Sequence, residues 1–308
     1  MDTNIWITIG GFLATVVLAF TVGVFYGGFV RKITARIQNR VGPPVYQNFL
    51  DITKLYSKKT AVHHGWMQHL GPAFAITASV TSLMFVPVLN GTGWFPWFEN
   101  LNFKGDLIFL LYMMVFGSLG MALGAGQTGN PNSAIGVSRG LSQMVGYEIP
   151  WVLALVALMI QTKTTSLTGL LDYQTANGTW MMFESPLAFI AGIMAMLGMF
   201  HYAPFDVTFA PAELSSGPAS EFGGKYLAVM MTSGSIFSFV KLVLIVDVFL
   251  GGAGNLIELI VKTFLLYMIP VFYGIVSPRY RTEQSIRYFW GWPTFFGIIG
   301  VIYAVFVR

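Results

Sequence analysis

The sequence predicts an all-α polytopic membrane protein, with about eight transmembrane helices and one amphipathic interfacial helix, on three observations. Of 308 residues, 55% are hydrophobic and only 10% are charged, far from the roughly 25% charged residues of soluble domains, and mean hydropathy is +0.66. Apolar windows of about 20 residues, long enough to cross a bilayer, recur from one end of the chain to the other. The basic residues gather on alternate connections between those windows. A single transmembrane domain over 1–308 accounts for all three.

The windows fall near 5–30, 70–90, 107–126, 139–161, 184–203, 225–250, 255–277 and 289–307. No charged n-region with a small-residue cleavage site precedes the first, which therefore reads as a retained span. Trp6, Trp66, Trp94, Trp97, Trp180, Trp290 and Trp292 stand near the ends of apolar runs, where an amphipathic ring prefers the headgroup layer, and Trp151 is the exception. Loops 31–69, 127–138, 204–224 and 278–288, with their flanks, hold Arg31, Lys32, Arg36, Arg40, Lys54, Lys58, Lys59, Arg139, Lys225, Arg279, Arg281 and Arg287. The other side holds Lys104, Lys163 and Arg308. By the positive-inside rule the first set is cytoplasmic, with both termini outside the cell membrane. His63, His64, His69 and His201 then lie on the cytoplasmic side as well.

After the first span comes RKITARIQNRVGPPVYQNFLDITKLYSKK. Arg36 and Arg40 are one helical turn apart before the rigid Gly42-Pro43-Pro44 turn, and two guanidinium forks on one face suit the carboxylates of a docked protein or of another loop. Beyond the turn, apolar and charged residues alternate in the manner of a helix lying in the interface over 45–58. Residues 126–139, GQTGNPNSAIGVSR, read as a flexible connection into the fourth span. That span contains Gln143, Tyr147 and Glu148 followed by Pro150, which removes a helix hydrogen bond and leaves the Gly146 carbonyl free one turn from a carboxylate. An acid inside a membrane helix costs several kcal/mol unless paired or hydrated, so Glu148 is a functional candidate.

The fifth span runs into HYAPFDVTFAPAELSSGPASEFGGKY, 201–226, which carries Asp206, Glu213 and Glu221. Pro204, Pro211, Pro218, Gly217, Gly223 and Gly224 interrupt it so often that no continuous helix runs through. Its backbone polar groups then need water or protein partners, as in a loop folded back over the membrane domain. Spans six and seven carry Lys241, Asp247, Glu258 and Lys262. Glu258 and Lys262 are four residues apart on one face, so a self-neutralising pair is one reading, with Asp247 near the outer interface. A buried ammonium equally marks an ion pathway. Counting about 1.5 Å per residue puts Lys241 and Lys262 at similar depth, and both could join one chain of groups with Glu148.

Absent motifs narrow the function. There is no cysteine, so disulfides, cysteinyl iron–sulfur clusters and thiolate chemistry are excluded from this chain. No span sets one histidine against another, and no HExxH or glycine-rich nucleotide loop occurs. Nothing points to redox chemistry, bound metal or cofactor in this chain alone, nor to nucleic acid.

Four ordered stretches resemble a known family: RIQNRVGPP at 36–44 with QNFLDITKLYSKK at 47–59, SRGLSQMVGYE at 138–148, APFDVTFAPAELSSGPASEF at 203–222 and SPRYRTEQ at 277–284. In order and spacing they are similar to the membrane subunit of respiratory complex I that forms the quinone chamber, from about Gly28 to Trp290. The resemblance implies that the first cytoplasmic segment, the loop after the fifth helix and the loop after the seventh meet a peripheral redox arm, and Arg36, Arg40, Gly42, Pro43, Arg139, Arg279 and Arg281 are the docking candidates. It also implies that Glu148, Asp206, Glu213 and Glu221 lead from the chamber toward a lateral ion path. Lys241, Asp247, Glu258 and Lys262 are further candidates for that path.

Where complex I members carry further acids, this chain has Phe209 and Pro211, and Pro44 stands where an asparagine usually follows GP. These departures are closer to the relatives that do not use quinone, energy-converting hydrogenases and sulfur-reducing complexes of heat-loving archaea. The expected role is a non-redox anchor and coupling subunit that links electron transfer in a peripheral arm to proton or sodium translocation. Its expected partners are iron–sulfur and hydrogenase-like subunits, holding the nickel–iron or iron–sulfur centres, antiporter-like membrane subunits and the lipid bilayer. The alternatives are a quinone-chamber subunit of a quinone-reducing complex I and a stand-alone secondary transporter, although no internal repeat is evident.

Overall fold

Crossing about 30 Å of hydrocarbon takes about 20 residues of helix. In the computed structural model, which describes residues 5–60, 65–89 and 100–306, six stretches are long and apolar enough to do so. They are α1 (Ile5–Ile37), α4 (Asp106–Gly126), α5 (Pro131–Thr162), α10 (Gly224–Phe249), α11 (Leu256–Val276) and the pair α12 (Thr282–Trp290) and α13 (Trp292–Phe306). Two expected spans are weaker than anticipated. The helix α3 (Met67–Phe85) has 19 residues and contains Pro72, and α8 (Pro186–Met199) has 14. Every regular element among the described residues is helical, which makes this an all-helical polytopic membrane protein. Trp94, Trp97, His63, His64 and Arg308 lie outside the described residues.

The helix expected over 45–58 is present as α2 (Gln47–Ser57). Arg31 fastens it to α1 by donating to Asn48 at 2.6 Å and pairing with Asp51 at 3.2 Å. The Gln47 amide, at 2.9 Å, and then Arg31 hold the Asp51 carboxyl below the usual carboxylate range. Residues 126–139 are less irregular than expected, because α5 begins at Pro131, with the Asn130 side chain accepting from the Asn132 N–H as its cap. The connection between the expected fourth and fifth spans holds two short helices, α6 (Leu167–Asn177) and α7 (Met181–Glu184). Pro150 does not break α5.

Close approach between helices is set by small residues. A Cβ on Gly120 would lie 2.7 Å from the Gly71 carbonyl oxygen and 3.0 Å from the Ala75 nitrogen, so α3 and α4 pack backbone to backbone there. Trp151, the one tryptophan expected away from the interface, is fully buried against Phe249. Phe239, Leu155 and Leu158 continue the same core.

The short α8 positions the functional region. Fourteen residues rise about 21 Å, less than the hydrocarbon thickness, and beyond α8 the chain continues over 201–223 as largely irregular backbone packed against protein. This segment has only the one-turn α9 (Pro211–Leu214) and a 3-10 turn over Gly217–Glu221. It is held by Gln143, whose Nε2 donates to the Phe205 carbonyl at 2.7 Å, and by the Tyr280 N–H, which donates to the Pro204 carbonyl at 2.9 Å. Phe205 is fully buried against Phe289, Tyr288 and Tyr280, with ring centroids 4.7, 5.1 and 5.6 Å away.

Candidate functional site

Each acid of the 201–223 loop has a different environment. Asp206 and Arg279 form an ion pair at 3.0 Å with side chains 21% and 25% exposed. Burial raises the Asp206 carboxyl above its ordinary range, against the pull of Arg279. Glu213 pairs with Arg139 at 3.0 Å on a more open surface. Glu221 accepts from the Asn130 amide at 2.5 Å, while its backbone carbonyl accepts from Gln68 at 2.9 Å. The three acids thus fasten one loop at three points: the segment before α12, the body of α5 and the start of α5.

Beneath the loop lies a cavity of about 380 Å³ lined by Phe209, Ala219 and Phe222 of the loop, by His201, and by Met199 and Lys241. A second cavity of about 370 Å³ is lined by Tyr147, Glu148 and Trp151, and again by Met199 and Lys241. Lys241 therefore stands between the two. Its Nζ donates to the Met199 carbonyl at 2.9 Å and lies 6.0 Å from the centre of the Phe200 ring. Met199 is the last residue of α8, and the unsatisfied carbonyls at a helix C-terminus attract a cation. Glu148 is half-buried in the second cavity and, among the described residues, has no hydrogen bond or ion pair.

The remaining membrane charges form a separate group at the far ends of α10 and α11. Lys262 Nζ pairs with Glu258 at 2.6 Å, donates to the carbonyls of Gly252 at 2.7 Å and Leu250 at 2.9 Å, and lies 4.8 Å from the Trp180 ring centre. Asp247, expected near the outer interface, is fully buried, and neither carboxyl oxygen has a hydrogen-bond partner. Lys262 does not share a chain of groups with Glu148: the two lysines project from different helices, and among the described residues only Lys241 lines the Glu148 cavity.

The basic turn also departs from expectation. Arg36 and Arg40 do not share a helix face, because α1 ends at Ile37 and Asn39 takes a left-handed φ of +57°. Arg40 instead donates to Gln38, and both arginines are exposed without a carboxylate partner among the described residues. Gly42 has φ +70°, and a Cβ there would lie 2.6 Å from that of Ala35, so the turn requires glycine. Arg31, Gln38, Arg40, Gly42 and Pro43 line a cavity of about 530 Å³ whose other wall includes Tyr202 and Ala203 at the root of the loop. Arg281 is exposed and begins α12, its N–H donating to Gln284 at 2.9 Å. Sequence reasoning did not single out Gln143, His201 or Thr208, whose importance comes from what folds against them.

The family model described as NADH dehydrogenase matches residues 10–305. The NADH-quinone oxidoreductase H-subunit of Geobacillus kaustophilus is 26% identical, over 92% of this chain and 87% of that protein. Its counterpart in Carboxydothermus hydrogenoformans is 22% identical, over 94% and 85%. A chain in the structure of the membrane-bound sulfane sulfur reductase, an archaeal respiratory membrane complex, superposes with a TM-score of 0.89 at 31% identity, covering 96% of this chain and 99% of that one.

Proposed function

We propose, for a chain that belongs to the NADH dehydrogenase family together with the complex I H-subunits, the role of a non-redox anchor and energy-coupling subunit in a complex I-like respiratory membrane complex. The observation that carries this reading is the pair of cavities that meet at Lys241, one reaching the 201–223 loop and the other Glu148. Redox centres, of nickel–iron or iron–sulfur type, belong to partner subunits, in keeping with the absence of cysteine. A peripheral arm docks on the face of Arg36, Arg40, Gly42, Pro43, Arg139, Arg279 and Arg281. Antiporter-like membrane subunits receive the ion path, and α3 and α8 complete eight crossings with both termini outside the cell membrane.

In this mechanism electron transfer changes the charge above the loop. Because Asp206 is already shifted by burial and by Arg279, a change in that balance moves its proton affinity and alters the loop's grip on α12. The change reaches Lys241 through the floor of the first cavity, and a proton or sodium ion moves past Glu148. Asp247, Glu258 and Lys262 serve the outer end of the path. The 31% identity to the sulfane sulfur reductase chain supports a sulfur-reducing or hydrogenase-type complex. Quinone reduction is the second reading, favoured by the names of the 22–26% identical relatives.

Two measurements test the proposal. Mild detergent extraction should leave iron–sulfur subunits bound to this chain, and recovery of the chain alone would favour a stand-alone transporter. In the purified complex, Glu148→Gln should lower the number of ions translocated per electron, and Glu148→Asp should keep part of it. A wild-type ratio in Glu148→Gln would remove Glu148 from the path.

A further inference from the structure

We infer that His201 is a proton-transfer link between the loop and the Lys241 cavities, acting through one water molecule held between His201 Nδ1 and Thr208 Oγ1. The inference rests on the coupling role proposed above and commits its first step to protons. Two buried polar atoms carry it. Among the described residues His201 Nδ1 and Thr208 Oγ1 both lack a hydrogen-bond partner, and both atoms are closed off from the surface, whereas buried polar atoms are nearly always paired and lose about 1–3 kcal/mol when they are not. Both residues line one small cavity of about 20 Å³, together with Ser118 and Gly140. That volume suits a single water molecule, and a water needs polar partners of this kind to stay.

His201 also lines the 380 Å³ cavity that contains Lys241, so its ring stands between the water-sized cavity and the ammonium. The backbone holds it there. His201 follows α8 with φ +52°, a conformation uncommon for a residue with a side chain and maintained only by its surroundings. Its N–H donates to the Gly198 carbonyl at 3.2 Å, and its ring lies edge-on to Tyr147 and Phe209, with centroids 6.2 and 6.1 Å away. The titratable groups facing the imidazole are Tyr147 of α5 and Lys241 of α10, with Glu148 in the adjoining cavity.

The transfer balances with protons alone. The water gives a proton to Nδ1 of the neutral imidazole and is itself reprotonated from the loop side. The resulting imidazolium turns about its Cβ–Cγ bond and releases the same Nδ1 proton toward Lys241 once that lysine has passed its own proton toward Glu148. A charged Lys241 repels the imidazolium, so the two are protonated in turn and not together. The imidazole left behind keeps its original Nε2 proton, so the reverse turn of the ring restores the starting state.

The test uses the purified complex in proteoliposomes, reading protons translocated per electron. His201→Gly is the chosen variant because glycine adopts φ +52° without strain and leaves an imidazole-sized space. Its ratio should fall about tenfold or more, and millimolar imidazole should restore a substantial part of it. Thr208→Val, which keeps the shape and removes the hydroxyl, should lower the ratio about two- to tenfold. A wild-type ratio in His201→Gly, or a loss there that imidazole does not restore, overturns the inference. If His201→Gly does not assemble, a wild-type ratio in Thr208→Val overturns it instead. The two levels separate: recovery of the chain without iron–sulfur subunits brings down the coupling role itself, a wild-type ratio in Glu148→Gln removes Glu148 from the path, and loss in Glu148→Gln with none in His201→Gly removes only the His201 link.

Discussion

Replacing Arg279 by methionine should loosen the 201–223 loop by an amount that depends on pH. At 3.0 Å and an effective dielectric near 20, the Asp206–Arg279 pair attracts by about 5–6 kcal/mol. Desolvation offsets most of that attraction. Removing one partner of a fully buried pair costs about 3–5 kcal/mol and an exposed pair is worth about 0–1. With side chains 25% and 21% exposed, the loss expected here is about 1–3 kcal/mol. Backbone hydrogen exchange over the loop, measured in the purified complex, should accelerate roughly 5- to 150-fold.

The pH dependence has a definite sign. Burial raises the Asp206 carboxyl, and Arg279 and the Ala210 N–H oppose the rise, so in Arg279→Met the rise is larger, with only the Ala210 N–H still against it. A carboxyl whose folded pKa is raised destabilises the fold above that pKa, and the effect fades as pH falls and the group takes up its proton. The variant's deficit should therefore be largest at neutral and alkaline pH and shrink on acidification. Asp206→Asn in the same background should suppress most of it. Equal acceleration at acidic and alkaline pH, with no suppression by Asp206→Asn, would refute the claim that this pair anchors the loop.

Further outcomes follow from the same geometry. Arg139→Met breaks the more exposed Glu213 pair and should change loop exchange by no more than about 1 kcal/mol. Gly120→Val places a side chain against the Gly71 carbonyl and should destabilise the complex by about 1–3 kcal/mol, read as a lower thermal inactivation temperature. Arg36→Glu combined with Arg40→Glu should release the peripheral subunits, because like charge at a contact costs several kcal/mol, and normal assembly would count against docking there. In this cysteine-free chain, Ser57→Cys should react with an impermeant maleimide only from the cytoplasmic side and Asn177→Cys only from outside; the reverse pattern would invert the topology.

What the sequence determined by itself were properties that depend on local order along the chain. Windows of apolar residues specify a membrane protein because the cost of exposed backbone in lipid is paid segment by segment. Repeated proline and glycine forbid a continuous helix over 201–226 wherever that loop docks, and amphipathic alternation over 45–58 predicts a helix whatever lies beside it, as α2 shows. Even the depth of a charge follows from counting residues, which is why Lys241 and Lys262 read as equivalent.

Tertiary structure decided what depth cannot encode: which helix face meets which neighbour. Lys241 met the end of α8 and the Glu148 cavity, whereas Lys262 was taken up by Glu258 and two carbonyls of the loop after α10. Arg40 left the face of Arg36 because one left-handed residue, Asn39, turned the chain between them. Spacing alone assumes a helix that continues. His201 and Thr208 came together across seven residues of irregular backbone whose path is set by Gln143, Arg279 and Tyr280. No periodicity describes such a path, because its shape is fixed by long-range partners and not by the residues within it.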